Sequence, residues 1–249
     1  NKSEYKLDVA RLYLVRLFAE SRKIEEQQNK EQMTFDAQRA IAYLRGGEAD
    51  GRIVKGAVEV SPKKVSTWET LGATYRDLSF AQGARTQGIA AFLRAVELEP
   101  SSPVLRTELG KLFATEGLLE EAKAQFLTVQ DLKSDYVEAT RQYALVLEQE
   151  GDMVAAIRKL ENLSLQDLLN EETLFQLGRL YYNEGRTADA VVRFEQALEL
   201  APNNSNVWYS LGVAFEDMDR TSEAISAFTR VLELNPGSTE VQERLQLLR

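Results

Sequence analysis

The chain lacks the two side chains on which much polar catalysis depends, since its 249 residues include no cysteine and no histidine. Their absence excludes disulfides, thiolate nucleophiles, zinc sites of the usual Cys/His kind and serine triads with an imidazole base. Carboxylate chemistry is what remains. The acidic side chains are therefore the first place to look for a reactive site.

Adjacent carboxylates occur at residues 120–121 and 171–172, and Asp217 and Asp219 form an Asp-X-Asp triplet with Met218. Both pairs fall at predicted helix beginnings, where negative charge complements the helix dipole. The triplet falls in a predicted turn, with no nucleotide-binding pattern around it. The sequence therefore predicts no catalytic residue, no metal site and no enzyme activity.

Three glycines lie close together at Gly46, Gly47 and Gly51. The Gly-Lys-Ser/Thr segment that cradles phosphate does not follow them, so a loop or a helix break explains them. We expect no nucleotide and no other cofactor.

Charge is unevenly distributed along the chain, whose net charge is −9. Residues 1–64 carry 13 basic and 10 acidic side chains, while residues 65–249 carry 17 and 29. An acidic chain of this kind repels the phosphate backbone of nucleic acids. Nor does any stretch approach the roughly 20 apolar residues of a membrane span. We expect a protein or peptide partner and no nucleic acid.

One pattern of small and large apolar residues recurs every 34 residues. Leu177, Gly178, Tyr181, Ala190 and Phe194 return as Leu211, Gly212, Phe215, Ala224 and Phe228. The same positions one and two periods earlier hold Tyr143, Ala144, Leu147, Ala156 and Leu160, and Leu109, Gly110, Phe113, Ala122 and Phe126. A period in this range predicts small units, each unable to bury its own apolar face, stacked on one another.

Each repeat is predicted to form a helical hairpin. Apolar residues recur at three- and four-residue intervals, with a helix-stopping turn at residues 183–185 and a proline, Pro202, that ends the second helix. Gly178 and Ala190 are small enough for the two helices to approach closely, while Tyr181 and Phe194 fill the space beside the contact.

These positions resemble the signature of the tetratricopeptide repeat family. The matching residues are Trp208, Leu211, Gly212, Phe215, Ala224, Phe228 and Pro236, with Leu174, Leu177, Gly178, Tyr181, Ala190, Phe194, Ala197 and Pro202 one period earlier. The resemblance implies an all-α fold, in which antiparallel helix pairs wind into a right-handed superhelix and the first helices line a concave groove. It also implies a non-catalytic scaffold for protein–protein interaction.

The expected organisation has three parts. Residues 1–64 form one irregular N-terminal helical repeat, in which Val9, Ala10 and Tyr13 begin the first helix and Ala57 and Pro62 mark the return helix. The array follows as repeats 65–102, 103–136, 137–170, 171–204 and 205–238, and residues 239–249 form a capping helix. The first of these repeats is four residues too long, with the excess around residues 79–87.

The groove lining is predicted from the helical stripe beside the core stripe of each first helix. Basic side chains on that stripe would hold carboxylates by bidentate contacts, and aromatic ones would pack against an extended peptide, a helix or an acidic glycan. The alternative is that the same residues are solvated and paired with local carboxylates. The predicted groove residues are Arg76, Lys111, Arg141, Leu145, Phe175, Arg179, Tyr182 and Tyr209.

Two other interpretations are compatible with the sequence. The irregular start followed by a regular array is similar in layout to the soluble C-terminal region of bacterial membrane proteins of the O-antigen ligase or polymerase type. In that case the chain would be an accessory domain, attached to a membrane through a segment preceding Asn1, and we expect a processed form or fragment. Self-association through residues 239–249 is a third interpretation. The sequence leaves a bacterial cytoplasm and the cell envelope equally open.

Overall fold

The structure is a computed structural model that describes residues 27–49, 51–78, 83–164 and 170–248, together with Lys6 and Ala10. Contacts divide the chain into two compact units, Asn1–Ser134 and Asp135–Arg249. The described residues form thirteen helices and one two-stranded sheet. The expected all-α solenoid of helical hairpins is thus confirmed as the fold class.

From residue 27 onwards, the described part of the N-terminal unit has a long helix, a short hairpin of strands, a one-turn helix and two helical hairpins. Its elements are α1 (Gln27–Arg45), β1 (Gly46–Ala49), β2 (Arg52–Lys55), α2 (Ala57–Val60), α3 (Val65–Asp77), α4 (Ala84–Leu98), α5 (Pro103–Thr115) and α6 (Leu119–Leu132).

The C-terminal unit consists of three helical hairpins and a final helix. Its elements are α7 (Val137–Gln149), α8 (Met153–Ser164), α9 (Glu171–Asn183), α10 (Thr187–Leu200), α11 (Ser205–Asp217), α12 (Thr221–Leu234) and α13 (Thr239–Leu247). We call α7, α9 and α11 the first helices of these repeats, and α8, α10 and α12 the second helices.

Local sequence signals account for the helix boundaries. The Asn170 side chain accepts a hydrogen bond from the Thr173 amide at the start of α9, which satisfies a donor that the helix itself leaves unpaired. At the turn between α9 and α10, Gly185 adopts a left-handed conformation with φ of 78°. Asp219 occupies the equivalent place one repeat later, with φ of 56°. The triplet at residues 217–219 therefore lies at a helix end and turn.

A close contact between a glycine and a phenylalanine joins the two helices of most repeats. A Cβ added at Gly178 would lie 2.6 Å from the ring of Phe194, which is 1% exposed. Such a distance is far inside van der Waals contact, so only glycine fits there. The same contact is made by Gly72 with Phe92, Gly110 with Phe126, and Gly212 with Phe228.

The repeat at residues 137–170 departs from this pairing in a consistent way. Its first helix carries Ala144 in place of the glycine, and its second helix carries Leu160 in place of the phenylalanine. Both side chains are almost completely buried in the same core cluster. The methyl group added on one helix is therefore matched by a smaller side chain on the other.

The β-hairpin in the N-terminal unit was not expected. Gly46 pairs with Lys55 and Gly47 with Val54 in an antiparallel register, and Gly51 lies in the turn with φ of 70°. The interpretation of these three glycines as a mere loop or helix break is therefore replaced by a two-stranded element that contacts α1 and α2. The predicted first helix at Val9 to Tyr13 lies outside the described residues except for Ala10, which is buried.

The long repeat at residues 65–102 has a longer connection between its helices. Helix α3 has 13 residues, the same length as α5. The connection spans residues 78–83 in this repeat but only 116–118 in the next. The excess thus falls mainly in the connection, of which residues 79–82 lie outside the described part.

The last helix covers the end of the C-terminal unit. Val241 and Leu245 of α13 are 1% and 5% exposed and belong to the same core cluster as α12. This helix, Thr239–Leu247, lies within the segment 239–249 predicted as a cap. No helix in the described ranges is long and apolar enough to cross a membrane.

Candidate functional site

The two predicted groove residues of the N-terminal unit converge on one carboxylate. Arg76 of α3 and Lys111 of α5 both form ion pairs with Glu108, which lies on α5. Arg76 also contacts Asp77 at 2.9 Å. These cations are therefore neutralised within the unit, as the alternative interpretation of the stripe proposed.

Arg141, the first predicted groove residue of the C-terminal unit, is a buried residue. It is 7% exposed, and its guanidinium contacts the carboxylates of Glu138 on the same helix and Glu172 on α9. A buried charge requires partners of this kind. Arg141 thus links α7 to α9, and the nearby Leu145 is half-buried.

Three other predicted residues meet around one cavity. Arg179 and Tyr182 from α9 and Tyr209 from α11 line a space of about 240 Å³ between the two first helices. Phe175 does not line it; its ring packs against Phe194 at a centroid distance of 5.9 Å. The other lining residues are Asn183, Phe194, Ser210 and Val213. We call this space the first-helix cavity.

A bidentate ion pair fixes the basic wall of the cavity. The two terminal nitrogens of Arg179 donate to the two carboxylate oxygens of Glu148 on α7, at 2.8 Å and 2.6 Å. Asn183 donates to the same carboxylate at 3.3 Å. Because Glu148 is only 15% exposed at its side chain, the pair is shielded and holds the guanidinium plane in place.

The two tyrosines are held by carboxylates from the next first helix and from the final helix, α13. The hydroxyl of Tyr182 donates to Asp217, and that of Tyr209 donates to Glu240. The hydrogen bond to Asp217, helped by burial, raises the pKa of Tyr182 to about 12. The pKa of Tyr209 is raised for the same reasons, with the bond to Glu240 as the larger cause. A phenolate cannot donate this hydrogen bond and would be repelled by the carboxylate, so the protonated tyrosine is favoured.

Alkaline pH should therefore weaken the C-terminal unit through Tyr182. A group whose folded pKa is raised stabilises the fold below its ordinary pKa of 10.0 and loses that effect as the pH passes the folded value of about 12. We expect the free energy of unfolding to fall between pH 10 and pH 12, and to fall less in Tyr182→Phe. Urea titrations at a series of pH values would measure both, and identical pH profiles would contradict the expectation.

The carboxylate pairs noted in the sequence have structural partners. Residues 120–121 and 171–172 lie in the first turns of α6 and α9, as expected. Glu172 contacts Arg141, and Glu171 accepts a hydrogen bond from Asn204. Within the described ranges, no group of three acidic side chains is arranged to hold a metal ion.

Sequence reasoning missed the acidic partners and part of the cavity wall. Glu148, Asp217 and Glu240 lie 31 to 35 residues from the side chains that they hold, which is about one repeat. A search for opposite charges one period apart would have found Glu148 for Arg179. Asn183 and Ser210 carry no such signal, because only the approach of α9 to α11 makes them neighbours. Val213 lies on the same predicted stripe as Tyr209, four residues further along α11.

Part of the array matches a known repeat family. Residues 175–239 match the family model of the tetratricopeptide repeat. Superkiller complex protein 3 of Mus musculus is 28% identical over 105 residues, which is 41% of this chain and 6% of that protein. Residues 175–239 are thus similar to tetratricopeptide repeats, and the matched region spans only 6% of the length of this long relative.

Solved structures agree with the fold. The structure described as a functional characterization of Pseudomonas aeruginosa pilF has a TM-score of 0.61 and 15% identity, covering 97% of this chain and 99% of that one. YrrB, described as a tetratricopeptide protein with an unusual peptide-binding site, has a TM-score of 0.53 and 18% identity, over 76% of this chain and 96% of that one. At such identities the likeness concerns the fold alone.

Proposed function

We propose that the chain is a non-catalytic interaction scaffold that binds a peptide segment of a partner protein in the first-helix cavity. The observation that carries this proposal is the convergence of Arg179, Tyr182 and Tyr209 on one cavity of about 240 Å³. These residues come from two different repeats, so the cavity exists only when the hairpins are stacked.

The cavity suits a peptide better than a charged small molecule. Its floor has an apolar part at Phe194 and Val213, while Asn183 and Ser210 offer hydrogen-bond donors and acceptors. Arg179 is already held by both oxygens of Glu148, so an incoming anion would have to displace an existing ion pair. We therefore favour an extended segment with an apolar side chain in the cavity and its backbone amides at the polar wall.

Substitution of Arg141 is not a suitable test of this proposal. Because it is buried between two carboxylates, a reversal to glutamate would bring three acidic groups together and disrupt the packing of α7 on α9. Loss of binding in such a variant would say nothing about the groove. Residues that line the cavity without supporting the core give a sharper test.

The test uses Val213→Arg, which extends a long charged side chain from a half-buried wall position into the cavity. Peptides selected from a displayed random library against the chain would serve as probes in calorimetric titrations. We expect Val213→Arg to raise the Kd at least tenfold. Val192→Arg is the matched control, since Val192 is 47% exposed on α10 and does not line the cavity.

Two outcomes would contradict the proposal. One is a set of peptides bound equally well by Val213→Arg and the unmodified chain at equal helicity. The other is a library that yields no binder. YrrB supports the peptide class of ligand only through its description as carrying a peptide-binding site.

The alternative function is that of an accessory domain of an envelope polysaccharide ligase or polymerase. It stays a prediction from the layout of the sequence. Its support is the irregular N-terminal part followed by a regular array of hairpins. The sequence of the full gene decides it: roughly ten apolar spans upstream of residue 1 would support the alternative, and a gene without them would remove it.

A further inference from the structure

A second, larger cleft lies on the side of the C-terminal unit formed by the second helices. Helices α10 and α12 form its walls and α11 its floor, and its volume is about 540 Å³. Leu198, Trp208 and Phe215 contribute apolar surface to it. The carboxylates that line it are Glu195, Glu199 and Glu223. We call it the second-helix cleft.

The preceding repeat shows why one of these carboxylates is left without a partner. There the hydroxyl of Tyr181 donates to Glu161 at 2.5 Å. One period later, the tyrosine is replaced by Phe215 and the glutamate is Glu195. Phenylalanine has no hydroxyl to donate. Glu195 accordingly forms no hydrogen bond or ion pair with any residue in the described ranges.

Glu199 is in the same situation one helical turn further along α10. It is exposed and, like Glu195, has no described partner. Glu223 on the facing helix is paired with Arg220 at 2.9 Å. The cleft therefore combines an apolar floor with two uncompensated negative charges on one wall, an arrangement that favours a ligand carrying both apolar and cationic groups.

We propose that the second-helix cleft is a docking site for a peptide segment in which an apolar side chain is flanked by lysine or arginine. The apolar side chain packs on Trp208 and Phe215, and the cationic side chains reach Glu195 and Glu199. The site uses different helices from the first-helix cavity, so it would add a second contact for a partner or a site for a second partner.

Trp208 supplies a direct readout. The chain contains two tryptophans, and Trp68 lies in the N-terminal unit. In a Trp68→Phe background, tryptophan fluorescence comes from Trp208 alone, which lines the cleft. The probe is a synthetic twelve-residue peptide with two central leucines flanked by lysines, and its control is the same peptide with glutamates in place of the lysines. We expect a saturable change with the first peptide and none with the second.

Charge-removing variants test where on the chain the lysine peptide binds. Glu195→Gln with Glu199→Gln should raise the Kd of the lysine peptide at least fivefold. Glu121→Gln with Asp131→Asn removes the same number of charges from exposed residues of the N-terminal unit and should leave the Kd within twofold. Higher salt should weaken binding, because exposed ion pairs are screened.

Phe215→Tyr tests the argument from the preceding repeat. It restores the hydroxyl that Tyr181 directs at Glu161, and so should give Glu195 an internal partner and weaken the peptide severalfold. An unchanged Kd in both the double glutamine variant and Phe215→Tyr would overturn the proposal, as would the absence of any fluorescence change. Loss of binding in Val213→Arg instead would place this peptide in the first-helix cavity, which would also overturn it while leaving the function proposed above intact.

Discussion

Replacing Phe194 by alanine is expected to lower the free energy of unfolding of the C-terminal unit by about 3–5 kcal/mol. The ring is 1% exposed and lies against the backbone of Gly178. It also packs against Phe175 at 5.9 Å. Truncation removes these contacts and leaves a cavity that the two helices cannot close, because both are held by neighbouring repeats.

Urea unfolding of a Trp68→Phe background, followed by the fluorescence of Trp208, would measure the loss in the C-terminal unit. Leu200→Ala is a suitable control, because Leu200 is on the same helix but 60% exposed. We expect that control to change stability by less than about 0.5 kcal/mol. Equal effects of the two substitutions would contradict the role given to the ring.

The second large effect is expected for Gly178→Ala, which adds one methyl group. That methyl would lie 2.6 Å from the Phe194 ring, so α9 and α10 would have to move apart or the ring leave its position. Overpacking of this kind costs about 1–3 kcal/mol. The small helix-propensity gain of alanine over glycine offsets only part of it.

A second substitution should rescue the first. The repeat at residues 137–170 combines Ala144 with Leu160, so Gly178→Ala with Phe194→Leu reproduces a pairing that the chain already contains. In a double-mutant cycle, we expect the double variant to lose less free energy of unfolding than the sum of the two single losses, by about 1 kcal/mol or more. Strict additivity would show that the two positions do not compete for the same space.

The period of the sequence predicted the helical hairpins well because each position has the same surroundings in every repeat. The close approach of the two helices at Gly178, with Phe194 beside it, was predicted because the counterparts Gly212 and Phe228 recur at the same spacing. The turn at residues 217–219 was also assigned correctly, although Asp219 replaces a glycine there.

The β-hairpin of the N-terminal unit was missed for the opposite reason. Residues 46–55 lie where the repeat pattern fails, and the segment was interpreted as a break in a helical template. An Asp-Gly dipeptide, Asp50 followed by Gly51, is a strong signal for a tight turn between strands. The strands are only four residues long, so periodicity alone could not reveal them.

The carboxylate partners at the candidate site were not predicted from the sequence. Three of the predicted groove residues, Arg179, Tyr182 and Tyr209, line one cavity, and their role in binding stays a prediction. Their carboxylate partners come from neighbouring first helices or from α13, so a pattern read along one helix does not contain them. For the same reason, the burial of Arg141 followed from stacking and not from its own helix.

The matched glycine and phenylalanine set limits on how this chain can be recombined. Each such contact joins the two helices of one repeat, as α9 is joined to α10 and α11 to α12. A crossover in the turn within a hairpin would set Gly178 against Leu160 and leave a void, or Ala144 against Phe194 and force a clash. A crossover at residues 201–204 keeps every matched couple intact. The transferable cassette for building chimeric arrays is therefore the whole helix pair.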